Sequence, residues 1–248
     1  MGVFDFLSKK PTPRKIERAM KRMLNEHHQQ PVRQEAIDEL IGYGSPEAIA
    51  ALIRRLGTNF RDTIKNEQEK RYVNDVLIET FGDRSVDPLL TFIQTEQTIS
   101  AAIRTLTKLV PTERLVGELC AVLDHYEPTD HRTIDAKLQL IDALADYGDD
   151  PRVLPVVLPH LLDHDDDIRV KAIAVVEERV GKGHVQYDAA VDMLVQVLKD
   201  PLASGRIARR AAVALGTLDA DLGARREELA EYIPDNFTLG EDGRFRGQ

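Results

Sequence analysis

The amino-acid sequence predicts an all-α fold, an α-solenoid built from about six helical hairpins. Three observations predict it. Glycine-containing helix stops recur along the chain, and apolar residues between the stops repeat at helical spacing. Aromatic residues make up only 5% of the 248 residues, and tryptophan is absent. A core of Leu, Ile, Val and Ala suits close helix packing better than a β-sandwich.

The helix stops share one form, in which an apolar run ends at an aromatic residue followed by glycine. The segments IDELIGYG, ending at Gly44, and IDALADYG, ending at Gly148, are identical at five of eight positions. The segment VLIETFGD places Gly82 in the same role. Glycine is the residue that best tolerates the left-handed backbone just past a helix end, so each stop predicts a helix C-terminus.

Less complete stops occur near residues 110, 181 and 216, and successive stops lie 28 to 38 residues apart. That interval is the length of a two-helix repeat. Residues Ile99, Ala102, Ile103 and Leu106 illustrate the apolar stripe between stops. The predicted hairpins cover 13–44, 46–82, 85–110, 112–148, 151–181 and 188–218, and a partial helix near 223–233 closes the stack.

The pattern divides the chain into three parts. Residues 1–12 form an N-terminal apolar and basic segment, residues 13–233 form the repeat region, and residues 234–248 form a polar C-terminal tail. Two interpretations of the tail stay open: a small hairpin around Asp242-Gly243, or a disordered end.

The most informative segment is LPVVLPHLLDHDDDIRVKAIAVV, residues 154–176, with a second partial copy, PVRQEAIDEL, at 31–40. It resembles the HEAT repeat, in which Leu-Pro opens an apolar helix and an Asp-containing turn leads to Val/Ile-Arg and an Ala-rich helix. The resemblance covers about 13–218 and implies a right-handed α-solenoid. HEAT-like proteins are mostly scaffolds and adaptors, so it also implies a non-catalytic scaffold that binds another protein through an extended surface.

On this interpretation the protein is not an enzyme, and it has no catalytic residues and no cofactor. The alternative is a HEAT-like enzyme or enzyme subunit, because DNA glycosylases and bilin lyases with HEAT-like repeats exist. Against the glycosylase version, the chain has no tryptophan and an acidic middle. A repeat fold by itself does not decide between the two classes.

The net charge of the chain and its distribution indicate which kinds of partner the protein can bind. The net charge of −9 argues against nucleic acid, which needs a basic face. The distribution is uneven: residues 1–33 carry a charge of +5, and residues 124–167 carry −9. A polarised molecule of this kind can steer a partner electrostatically whatever its total charge. We therefore expect a protein partner and leave the oligomeric state open.

The N-terminal residues and the single cysteine bear on location. Apolar residues between 3 and 7 are followed by cations, so residues 1–15 either cap the first hairpin or touch an anionic membrane. Cys120 lies on an apolar stripe with Val116 and Leu123, as a core thiol does. One cysteine cannot form an internal disulfide, so we expect a cytoplasmic protein.

A regular series of cations is the candidate site. Arg33, Arg71 and Lys137 each lie eleven residues before a stop glycine, and Arg169 occupies the equivalent position in its repeat. Equal register on stacked helices predicts a row of cations that binds an acidic peptide, a phosphate or a nucleic-acid backbone. The other interpretation is a structural ion-pair ladder between repeats, with Asp166 as the expected partner of Arg169.

A metal site is a further candidate, which we set aside. His160 and His164 are four residues apart beside Asp163, but no third ligand has a defined place. We interpret this segment as a solvated turn with a helix cap and expect no bound metal.

Overall fold

The computed structural model describes residues 11–247, and it shows an all-α helical-repeat fold, as predicted. The chain divides into two compact units, Met1–Leu115 and Val116–Gln248. The predicted N-terminal segment, 1–12, lies almost entirely outside the described residues. The three-part division of the chain stays a prediction, with the boundary between the units inside the predicted repeat region.

Between residues 11 and 110, unit 1 forms three helical hairpins. Each pair of helices matches one predicted hairpin, and a π-turn (Leu77–Phe81) and a 3-10 turn (Gly82–Ser85) connect the second pair to the third. The helices are α1 (Pro13–Met23), α2 (Gln30–Tyr43), α3 (Pro46–Gly57), α4 (Thr63–Val76), α5 (Val86–Thr95) and α6 (Ser100–Leu109).

Local sequence explains where these helices begin and end. The Ser45 side chain accepts a hydrogen bond from the backbone N–H of Ala48 and caps α3, and Asp62 caps α4 through the N–H of Lys65. Gly44 ends α2 with a φ of +54°, as the stop pattern predicted. The capped ends fix the orientation of α3 and α4, which line the site described below.

Unit 2 contains the end of α7 (Thr112–Asp124), which carries the unit boundary, and the remaining helices. Prolines shorten one of them, because α9 ends where Leu158-Pro159 opens a 3-10 turn, Leu158–Leu162. The other elements are α8 (Ile134–Ala145), α9 (Val153–Val157), α10 (Asp166–Arg179), α11 (Tyr187–Lys199), α12 (Gly205–Thr217), α13 (Arg226–Leu229), β1 (Phe237–Leu239) and β2 (Phe245–Gly247).

The C-terminal tail is ordered up to residue 247 and forms a β-hairpin, the first of the two interpretations given above. Strands β1 and β2 pair antiparallel, with Leu239 opposite Phe245 and both side chains buried. Gly243 turns the chain with a φ of +72°, and its carbonyl accepts a hydrogen bond from the N–H of Leu222. Strand β2 packs on α12, so the hairpin covers part of this helix.

Aliphatic side chains fill both cores. In unit 1, Leu40, Leu52 and Ile93 are fully buried, and Cys120 in unit 2 is buried as predicted. Burial raises the pKa of the Cys120 thiol to about 11, so the thiol stays protonated at neutral pH.

Candidate functional site: a cationic groove in unit 1

Arg33, the first predicted site residue, is buried in unit 1. Its guanidinium donates to Glu69 on α4, with 2.7 Å between Nη2 and Oε1 and 2.9 Å between Nε and Oε1. It also donates to the carbonyl of His28. The pair joins α2 of the first hairpin to α4 of the second, so Arg33 ties neighbouring repeats together.

A second arginine shares the same carboxylate. Arg55 is fully buried and donates from Nε to Glu69 Oε2 at 3.1 Å. It also donates to the side-chain oxygen of Asn66 at 2.9 Å. The ring of Phe60 lies under both guanidinium groups, 4.1 Å from Arg55 and 4.9 Å from Arg33. Burial lowers the pKa of Arg55, and the neighbouring carboxylate of Glu69 opposes this effect.

Lys137 occupies a comparable position in unit 2. Its ammonium group is fully buried and lies 2.6 Å from Oδ2 of Asp163, which is also fully buried. His160 approaches the same oxygen at 3.2 Å, and the N–H of Asp165 donates to the other oxygen at 3.0 Å. Burial alone would raise the pKa of Asp163, but hydrogen bonds from His160 and Lys137 outweigh it and the pKa is lowered.

Arg169 is also buried in an ion pair, but with a different partner from the expected one. Its Nη1 lies 2.8 Å from Oδ2 of Asp200, at the end of α11, and its Nε donates to the carbonyl of Leu161 at 3.1 Å. The expected partner, Asp166, instead accepts a hydrogen bond from Ser204. Sequence reasoning assumed a partner in the same repeat, whereas the contact crosses to the next one.

Three of the four members of the predicted partner-binding row are thus buried in ion pairs. Arg33, Lys137 and Arg169 are at most 5% exposed, and carboxylates neutralise all three charges. Such side chains cannot reach a partner without breaking a buried ion pair, which is strongly unfavourable. The structural-ladder interpretation describes them, and Arg71 is the one member of the predicted row that is exposed.

Arg71 lines a groove in unit 1 with a volume of about 540 Å³. One face of α4 forms a wall, because positions 67, 70, 71, 74, 75 and 78 recur at helical spacing. Positions 101, 104 and 108 of α6 form the facing wall, and Leu56 of α3 contributes from below. A concave space of this volume is within the range of small-ligand sites.

Cations outnumber carboxylates on the walls. The four cations are Lys70, Arg71, Arg104 and Lys108, and the two carboxylates are Glu67 and Asp75. The carboxylates lie beside amide groups, since Glu67 accepts from Asn66 and Asp75 accepts from Asn74. Among residues 11–247, none of the four cations has a carboxylate oxygen within 4.0 Å. Their charge is therefore free to meet an anion.

Lys70 is distinct among the four. It is half-buried, whereas the other three cations are exposed. Its Nζ donates to the neutral side-chain oxygen of Asn59 at 2.6 Å. Burial lowers the pKa of Lys70, and the nearby charges of Arg55 and Arg104 lower it further, while Glu67 opposes them. The groove thus holds one amine that gives up its proton more readily than an ordinary lysine.

Sequence reasoning missed Lys70, Arg104 and Lys108. It aligned cations by their distance from stop glycines, which selects one position in each repeat and ignores the others on the same helix face. The polar face of α4 and the 104/108 pair on α6 are visible at helical spacing in the sequence. The two faces meet only in the folded protein, so the spacing of residues in the sequence could not predict that they line one groove.

The histidine segment is not the solvated turn that the sequence suggested. Asp163 and His160 are buried with Lys137, whereas His164 and Asp167 are exposed. The Nδ1 of His164 lies 2.7 Å from the carbonyl oxygen of Pro128. The polar atoms of Asp163, His160 and His164 thus contact other groups of the protein, namely the ammonium group of Lys137 and the carbonyl oxygen of Pro128. Among the residues that the structure describes, no group of three or more His, Cys, Asp or Glu side chains is arranged to hold a metal ion.

Comparisons with known proteins identify no family for the chain. No family model matches it, and no curated protein matches it. Human deoxyhypusine hydroxylase, solved in complex with glycerol, is similar in structure, with a TM-score of 0.35 and 16% sequence identity. The likeness covers 89% of this chain and 92% of the hydroxylase chain.

The comparison corrects the functional prediction. We expected a non-catalytic scaffold and no enzyme, but the similar solved structure belongs to an enzyme. Both expectations are therefore wrong on this finding. At a TM-score of 0.35 the likeness transfers no activity or substrate, so the groove has to be interpreted from its own chemistry.

Location is addressed by one structural finding. Within residues 11–247, none of the helices has the length and apolar character that crossing a bilayer requires. The expected cytoplasmic location, the protein partner and the membrane contact through residues 1–15 stay predictions.

Proposed function

We propose that unit 1 binds a small phosphate-bearing ligand in the groove between α4 and α6. The observation that carries the proposal is the set of four cations on the two facing walls, none of which pairs with a carboxylate of residues 11–247. Arg71 and Arg104 can each present two parallel N–H groups to a phosphate, and the lysines add point charges. This function belongs to the enzymatic alternative more than to a scaffold, because a defined groove selects a small molecule.

Groove volume favours a compact ligand over a polymer. A site of about 540 Å³ holds a molecule of the size of a nucleotide or a sugar phosphate. Leu56, Ile78 and Ala101 supply apolar surface beside the cations. A phosphate group with an apolar or ring-shaped body therefore matches both parts of the lining. An acidic peptide would use the cations but not the depth of the groove.

The repeats themselves are proposed to be of the HEAT type. The support is the cross-repeat ion pairs, since Lys137 pairs with Asp163 and Arg169 pairs with Asp200, in each case beyond the helix that carries the cation. A ladder of this kind is the feature that the sequence resemblance implied. It positions successive helices in register, and the groove in unit 1 depends on such a register between α4 and α6.

Calorimetric titration with tripolyphosphate tests the groove. The variant Arg71→Gln/Arg104→Gln/Lys108→Gln removes three exposed cations, and Arg14→Gln/Lys15→Gln/Arg18→Gln on α1 removes the same charge from an exposed face elsewhere in unit 1. We expect the groove variant to bind at least about tenfold more weakly, at about 0.5–1 kcal/mol for each exposed charge contact. The α1 variant should stay within about twofold of the parent protein.

Further titrants distinguish the sources of phosphate. An adenine nucleotide, a single-stranded oligonucleotide and polyglutamate present a small phosphate ester, a phosphate polymer and a carboxylate polymer. The proposal requires the nucleotide or tripolyphosphate to bind more tightly per site than polyglutamate. Equal weakening by the two triple variants, or no binding of tripolyphosphate by the parent protein, would contradict it.

A further inference from the structure

The side chain of Lys70 has surroundings that differ from those of Lys65, the other lysine on its helix. It lies half-buried on the wall of the groove, and its amine donates to the neutral oxygen of Asn59 rather than to a carboxylate. Lys65, one turn earlier on α4, is 55% exposed and lies 3.2 Å from Asp62. The same helix thus carries one lysine held as an ordinary surface cation and one enclosed among other cations.

We propose that Lys70 is a nucleophile that condenses with the carbonyl group of an aldehyde or ketone carried by the phosphate-bearing ligand. The ε-amine would attack the carbonyl carbon to give a carbinolamine, which loses water to form a protonated imine. The carbonyl oxygen leaves as water with one amine hydrogen and one proton taken from solvent, the second amine hydrogen stays on the nitrogen of the protonated imine, and no oxidant or reductant is needed. This inference rests on the proposed phosphate-binding function.

The geometry supplies what the reaction needs. A lysine reacts only as the free amine, and a desolvated position beside other cations favours that form. Arg55 and Arg104 act on Lys70 in this way, and burial lowers its pKa in the same direction. Arg71 and Lys108 line the same groove, so a phosphate bound there would hold a carbonyl of the same molecule near the amine. The carboxylate of Glu67 has the opposite effect and raises the pKa of Lys70.

Two labelling reactions test the nucleophile. Reductive methylation with formaldehyde and cyanoborohydride at neutral pH reports amine reactivity without any phosphate, and peptide mass spectrometry gives the initial rate at each lysine. We expect Lys70 to react several-fold faster than Lys65, although Lys65 is the more exposed. A rate at Lys70 equal to or below that at Lys65 would overturn the proposal, whatever the groove binds.

The second reaction uses pyridoxal 5′-phosphate with borohydride trapping, because this probe carries both an aldehyde and a phosphate. Trapping should favour Lys70 over Lys65 more strongly than formaldehyde does. It should fall at least tenfold in Arg71→Gln/Arg104→Gln/Lys108→Gln and stay unchanged in the α1 variant. If Lys70 is methylated fast but the groove substitutions do not reduce the trapping of pyridoxal 5′-phosphate, the phosphate site and the condensation proposed on it are both contradicted.

A conservative substitution separates chemistry from folding and from binding. Lys70→Arg keeps the positive charge and removes the nucleophilic amine. The variant should bind tripolyphosphate within about threefold of the parent protein while trapping at position 70 is lost. Trapping of pyridoxal 5′-phosphate at an undiminished total level in Lys70→Arg would show that another lysine carries the reaction, and would overturn the proposal.

Discussion

Each unit of the molecule buries a charge cluster, and the two clusters solve the same problem with different chemistry. Unit 1 holds two arginines, Arg33 and Arg55, on the carboxylate of Glu69. Unit 2 holds Lys137 and His160 on the carboxylate of Asp163. Both clusters join helices of neighbouring repeats, so both fix the register of the stack. The difference is that an arginine stays charged at any accessible pH, whereas a lysine can lose its proton.

The units also differ at their surfaces. Residues 1–115 carry eighteen Lys or Arg against sixteen Asp or Glu, and residues 116–248 carry fifteen against twenty-six. An anion is therefore repelled by the overall charge of unit 2 and meets a nearly neutral unit 1 with a local excess of cations in its groove. Buried charge thus joins helices of neighbouring repeats in both units, whereas a local excess of exposed cations lines the groove of unit 1.

The largest effect is expected from Glu69→Gln. The substitution leaves two buried guanidinium groups without their shared carboxylate, and stranding a buried charge costs about 3–5 kcal/mol. Because neither arginine can neutralise itself, the loss of stability should be the same at pH 7 and pH 9. Urea unfolding followed by circular dichroism at the two pH values measures it. A loss below about 1 kcal/mol would mean that the cluster contributes little to unit 1.

Asp163→Asn is the matching change in unit 2. It should lower the free energy of unfolding by a similar amount at pH 7 and by a smaller amount at higher pH. A buried lysine left without a carboxylate can lose its proton, and the cost of doing so falls as the pH approaches the ordinary lysine value of about 10.4. The unfolded variant then binds more protons than the folded one, so its stability rises with pH. A deficit that does not change between pH 7 and pH 9 would remove the distinction between the clusters.

The smallest expected effect is an acid-dependent loss of stability in unit 2. The pKa of Asp163 is lowered in the folded protein, so its contribution is present above the unfolded value of about 3.9 and is lost as pH falls through the lower, folded value. The stability difference between the parent protein and Asp163→Asn should therefore shrink as the pH falls below about 4. Lys137→Met removes one cause of the lowered pKa, so the acid-dependent loss in this variant should be smaller and should be complete at a higher pH than in the parent protein. If the stability of the parent protein and that of Lys137→Met fall identically with pH in acid, Lys137 is not a cause of the lowered pKa of Asp163.

Sequence reasoning predicted the fold well because helix stops and apolar spacing are local properties. Gly44 has the left-handed backbone that its stop pattern predicted, and the paired helices of unit 1 follow the predicted hairpins. The tail could not be decided, because its hairpin depends on the burial of Phe245 against α12, a contact between segments distant in sequence.

The candidate site was predicted only in part, for a similar reason. Register placed Arg33, Arg71, Lys137 and Arg169 at equivalent positions, but it could not tell which of them would meet a carboxylate. Glu69, the partner of Arg33, lies 36 residues away and has no signal in the first hairpin. Arg71 is exposed instead, and the groove around it forms only because α6 lies beside α4 in the folded protein.

The central claim is that anions bind to the groove of unit 1 and not elsewhere on the chain. The most direct measurement is a tripolyphosphate titration followed by amide chemical shifts of the isotopically labelled, full-length protein. The account predicts saturable shifts at α4 and α6 near residues 70, 71, 104 and 108, which disappear in the groove variant. Shifts confined to unit 2 or α1, or an unchanged spectrum at millimolar ligand, would contradict it.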